Sequence, residues 1–81
     1  MARKESVRVA VVFEPGKGLR VIWFDRQRQQ HRVMETTYRW QDRIGDRPLM
    51  HFAVTDGEGL YVLTYSPLDS TWTITDQQAV A

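Results

Sequence analysis

The chain has 81 residues, no cysteine, and 11 basic against 10 acidic side chains, for a formal net charge of +1. That length fits one domain with a small core, and the lack of thiols excludes disulfides, thiolate metal sites and cysteine nucleophiles. A small core leaves little room for a walled catalytic cleft, so a non-enzymatic domain without cofactor or metal is expected, in a reducing cytoplasm.

Residues 1–6 read as a flexible N-terminal tail, residues 7–76 as a single β domain and residues 77–81 as a flexible C-terminal tail. The apolar run after the tail is too short and too interrupted for a signal peptide, and no stretch approaches the roughly 20 apolar residues that span a membrane. Period-2 alternation then dominates. Val7, Val9, Val11 and Phe13 alternate with Arg8, Ala10 and Val12 up to the turn Glu14-Pro15-Gly16-Lys17-Gly18. Residues 19–25 form a second strand, Asp25-Arg26-Gln27-Arg28 turns the chain, and residues 29–40 read as a third, long strand. Its apolar parity switches from odd to even after Val33, which predicts a bulge or bend near residues 33–35.

A polar connection is expected over residues 41–48, then strands at 49–55, 60–66 and 71–76 separated by Asp56-Gly57-Glu58-Gly59 and Ser66-Pro67-Leu68-Asp69-Ser70. Pairing Thr55 with Leu60 and Ser66 with Thr71 gathers Met50, Phe52, Val54, Tyr61, Leu63, Tyr65, Trp72 and Ile74 on one face, taken as core. In the first hairpin, pairing Phe13 with Leu19 sets Val11 opposite Val21 and Val9 opposite Trp23. Placing Phe24 opposite Gln30 then brings His31 and Val33 onto that inner face. The expected fold is all-β: a six-stranded antiparallel meander forming a small barrel or strongly curved sheet, with Trp23, Phe52, Leu63 and Trp72 as core anchors. The alternative is an open sheet that dimerises to cover exposed Ile22 and Phe24, so the chain is expected as a monomer or homodimer.

All eleven cations lie in residues 1–47 against six acids, a net +5, whereas residues 48–81 hold four acids and no cation, a net −4. The expected register puts Arg8, Arg20 and Arg32 on one outer face with Phe24, beside Val12, Ile22 and Met34. Arginines interleaved with an aromatic floor suit a phosphate backbone and stacked bases, and equally an acidic protein partner. Arginine stems covering a half-buried face would look the same. His31, His51 and Glu35 match no metal-ligand spacing, and Pro15-Gly16-Lys17-Gly18 lacks the spacing and the following helix of a phosphate loop. No serine is flanked as a nucleophile would be.

The segments Val-Ile-Trp-Phe-Asp (21–25), His-Arg-Val-Met-Glu (31–35), Thr-Tyr-Arg-Trp (37–40), His-Phe-Ala-Val-Thr-Asp-Gly (51–57) and Leu-Tyr-Val-Leu-Thr-Tyr (60–65), with Trp72, resemble a group of small bacterial all-β domains of unknown function. The likeness covers about residues 20–75. Similar segments lie at the C-termini of some bacterial proteins related to Y-family translesion polymerases, which implies a role in DNA transactions. The resemblance brings no catalytic residues. The functional expectation is therefore a nucleic-acid-binding accessory module or, alternatively, a protein-interaction or homodimerising domain.

Overall fold

The structure is a computed structural model that describes residues 4–76. Seven strands make one antiparallel sheet: β1 (Lys4–Glu14), β2 (Gly18–Arg26), β3 (Gln29–Arg32), β4 (Glu35–Ile44), β5 (Arg47–Thr55), β6 (Leu60–Ser66) and β7 (Thr71–Asp76). Their order is β3-β2-β1-β7-β6-β5-β4, and the sheet curls into a half-barrel. No helix among the described residues is long and apolar enough to cross a membrane. β1 begins at Lys4, so residues 4–6, expected in the tail, pair with β7 instead. The expected tails at residues 1–3 and 77–81 lie outside the described residues.

The expected third strand is split. Its first part, β3, pairs with the end of β2, and after Val33 and Met34 its second part, β4, pairs with β5 at the opposite edge. The chain steps across the gap there, with Val33 N–H donating to Ile22 O at 2.9 Å and Met34 N–H to Thr55 O at 2.8 Å. The segment expected as a polar connection is instead the end of β4, a two-residue turn and the start of β5, with Ile44 opposite Arg47. Gly45, at φ 62, supplies the positive φ that the first turn position demands.

Strands β5, β6 and β7 pair in the expected register, Thr55 with Leu60 and Ser66 with Thr71. Phe52, Val54, Leu63 and Ile74 are accordingly buried, and Met50, Tyr61 and Trp72 pack against them. Burying each large apolar side chain contributes about 1.5–3 kcal/mol, so this cluster is the main stabilising element.

The first hairpin corrects two expectations. Its register holds from Phe13–Leu19 to Val11–Val21, but a bulge at Ile22 then pairs Ala10 with Trp23 and Val9 with Phe24. One inserted residue reverses which side chains point inward. Trp23, expected as a core anchor, lies on the outer face, and Phe24, expected outside, is fully buried with Leu19 and Val21. Phe24 therefore exposes no apolar patch that a dimer would need to cover. Phe13 also departs from expectation: it sits at the hairpin tip and is 74% exposed.

The β2–β3 turn adds a second slip. Gln27 (φ 51) and Arg28 (φ 65) both have positive φ, the signature of a two-residue type I′ turn, so Phe24 faces His31 and not Gln30. Neither residue is one that favours this conformation. Arg28→Gly is expected to stabilise the domain by up to about 1 kcal/mol, read as a higher urea midpoint at unchanged slope.

Candidate interaction surfaces

The outer side of the half-barrel divides into two faces of different chemistry. On β1, β2 and β3 the bulge leaves Arg8, Arg20, Trp23 and Arg32 on one side of the sheet, through the pairs Arg8–Asp25, Val12–Arg20 and Trp23–Arg32. The structure thus brings together three of the four expected site residues and replaces Phe24 by Trp23. Arg8 lies over the Trp23 ring at 5.6 Å from its centroid and donates through Nε to Asp25 Oδ2 at 2.9 Å. Arg20 donates to Glu14 Oε1 at 3.2 Å. Two of the three arginines are therefore matched to acids on the same surface.

On β4 to β7 the outer face has another character. A bulge at Thr37 pairs Thr36 with Val54 but Tyr38 with Ala53, so Tyr38 and Trp40 point outward although Thr36, of the same parity, points in. Tyr38 stacks on Trp40 at 5.4 Å between centroids, and Trp40 stacks on His51 at 4.9 Å, within 19° of parallel. His51 Nδ1 is 2.9 Å from Thr64 Oγ1, which fixes the ring, while its Nε2 is buried without a hydrogen-bond partner. Beside this stack Ala53, Val62 and Thr64 floor a shallow depression of about 540 Å³. Among the described side chains, the charged groups nearest the stack are Asp42, 3.8 Å from His51 Nε2, and Arg47, which is held by Asp69.

His31 and His51 occupy opposite faces. His31 stacks on Phe24 at 4.9 Å inside the half-barrel, and its Nδ1 lies 2.9 Å from Asp56 Oδ2. This contact ties the β3 edge to the β5–β6 loop. Burial of the Asp56 carboxyl tends to raise its pKa. The hydrogen bond with His31, the backbone N–H groups of Glu58 and Gly59, and the nearby His31 charge together outweigh that and hold it at about 2. The pair is thus a structural clasp between the β3 edge and the loop that joins two interior strands of the sheet's other half.

The residues that sequence reasoning passed over are Tyr38, Trp40 and His51. Alternation marks Tyr38 and Trp40 as one face of a strand, but which face is outward depends on the Thr37 bulge, which has no glycine or proline to announce it. Comparison with protein-family models, curated proteins and solved structures finds no match to this chain.

Proposed function

We propose that this domain is a non-enzymatic protein-interaction module that docks its partner on the outer face of β4 to β7. The observation that carries the reading is the Tyr38–Trp40–His51 stack standing beside an uncharged floor of Ala53, Val62 and Thr64. Tyrosine and tryptophan supply large contact area at low entropic cost and dominate interface energetics. A polyanion would need cations beside the stack, and the nearest charged groups among the described side chains are Asp42 and an arginine already bound to Asp69. A photo-crosslinking residue at position 62 is expected to trap a discrete protein adduct that disappears when Tyr38→Ala is added, whereas the same probe at position 28, in the β2–β3 turn, traps none. Tyr38 is 65% exposed, so its loss should leave the thermal midpoint within a few degrees. An adduct sensitive to nuclease, or one indifferent to Tyr38→Ala, refutes the reading.

A nucleic-acid-binding accessory role is the second reading, favoured by the row Arg8–Trp23–Arg32. Phosphate contacts would make the logarithm of affinity fall with that of salt, with a slope of about −0.7 per phosphate on single strands. Fluorescence anisotropy with labelled oligonucleotides tests it: Arg20→Ala/Arg32→Ala should flatten the slope, and absence of binding at about 100 μM protein in low salt rules the role out.

A further inference from the structure

We infer that the open seam between β2 and β4 is a docking slot for an extended peptide strand that carries a carboxylate. β3 covers β2 only from Trp23 to Arg26, and β4 pairs with β5 alone, so residues 18–21 of β2 face β4 without a ladder between them. Arg39 crosses the seam, donating from Nη1 to Leu19 O at 2.7 Å and from Nη2 to Lys17 O at 3.3 Å. Those carbonyls therefore point into the gap and are satisfied by side-chain N–H groups where a neighbouring strand would supply backbone ones. One added strand needs about 9–10 Å between the walls, twice the interstrand spacing, and along residues 18–21 the two walls share no backbone pairing.

Grooves of about 300 and 540 Å³ both border Lys17, Leu19 and Arg39, and the first is floored by Met50 and Phe52. A strand laid along β2 would give its N–H groups to the carbonyls that Arg39 now serves and its apolar side chains to that floor, running antiparallel to one wall and parallel to the other. The charge of the site selects the occupant. Lys17, Arg20 and Arg39 border the slot against one acid, Glu14, which is bound to Arg20. A carboxylate on the incoming strand would take the guanidinium of Arg39 in a charge-assisted, bidentate contact once the carbonyls release it. The smaller groove reaches Trp40 and His51, but Tyr38, Ala53 and Val62 lie outside the slot.

The test is an NMR titration of the 15N-labelled protein with the peptide acetyl-Thr-Val-Asp-Val-Thr-amide. Because a strand residue's N–H and C=O point to the same side, the Leu19 amide faces the seam, and its exchange with solvent should be fast in the free protein. Saturable shifts are expected at residues 17–21 and at Arg39 Nε, with Kd between about 10 μM and 1 mM, and with slowed exchange at Leu19. The peptide with Lys for Asp, or with N-methylated valines, should bind at least tenfold more weakly, and Arg39→Leu should do the same to the acidic peptide. The N-methylated probe leaves the protein untouched, so a folding defect in the variant cannot imitate its effect. Silence at residues 17–21 up to 2 mM peptide, equal binding of the Lys peptide, or shifts confined to Ala53 and Val62 would overturn the slot. The last outcome would leave the aromatic-face reading standing, and failure of the crosslink at position 62 would leave the slot standing.

Discussion

Phe24→Ala is expected to leave the domain largely unfolded at room temperature, whereas Trp23→Ala next to it leaves the fold intact. Phe24 is fully buried, stacked on His31 and met edge-on by Tyr61 at 5.3 Å between centroids, so its removal opens a cavity at the junction of β1, β2 and β3. Truncating a buried aromatic costs about 3–5 kcal/mol, close to the whole stability of a domain this small. Trp23 stands on the outer face, half-buried under Arg8, and loses at most about 1–1.5 kcal/mol including its cation–π contact. Urea titrations followed by far-UV circular dichroism compare the two. A larger loss for Trp23→Ala would mean that the bulge at Ile22 is absent and that β2 alternates without interruption.

The second large effect is on the response to acid. Asp56 titrates at about 2 in the folded chain against an ordinary value of 3.8, so the folded state favours its ionised form. Its contribution is complete above about pH 4 and fades as pH falls through 2, because the unfolded chain takes up the proton first. Allowing for solvent screening in a surface loop, the clasp contributes about 1–2 kcal/mol at neutral pH. Asp56→Asn keeps an oxygen for the Glu58 and Gly59 N–H groups but loses the charge facing His31. The variant should be less stable by that amount at pH 6 and should approach the parent as pH drops to 2. A parallel loss in both proteins across this range would show that Asp56 does not carry the acid sensitivity.

What could be read in advance follows from where the chain signals its geometry. The hairpins of β5, β6 and β7 were legible because Asp56-Gly57-Glu58-Gly59 and Ser66-Pro67-Leu68-Asp69-Ser70 fix their turns and uninterrupted alternation fixes their faces. Fold class and the bend near Val33 followed from the same alternation. The outer face of β1 to β3 is legible only in part: parity places its arginines, but the aromatic beside them depends on the bulge at Ile22. Two bulges, at Ile22 and Thr37, each reverse parity without a glycine, and the Gln27-Arg28 turn adopts positive φ without the residues that favour it. The two bulges go with long-range packing, Phe24 against Tyr61 and Thr36 opposite Val54, which local patterning does not report.

The order of strands has a consequence for how the chain reaches this state. Read from β4 through β7 and then β1 to β3, the sheet is a plain succession of hairpins, so its topology is a meander whose chain starts in the middle. Five of the six strand pairings join neighbours in sequence, and the sixth, β1 with β7, brings together Val7 and Trp72, about 65 residues apart. Closing a loop of that length costs roughly 3–4 kcal/mol of chain entropy against about 1 for a short hairpin. The topology therefore concentrates its non-local closure in a single event, and the two halves of the sheet, each built from local contacts, are the units that this event joins.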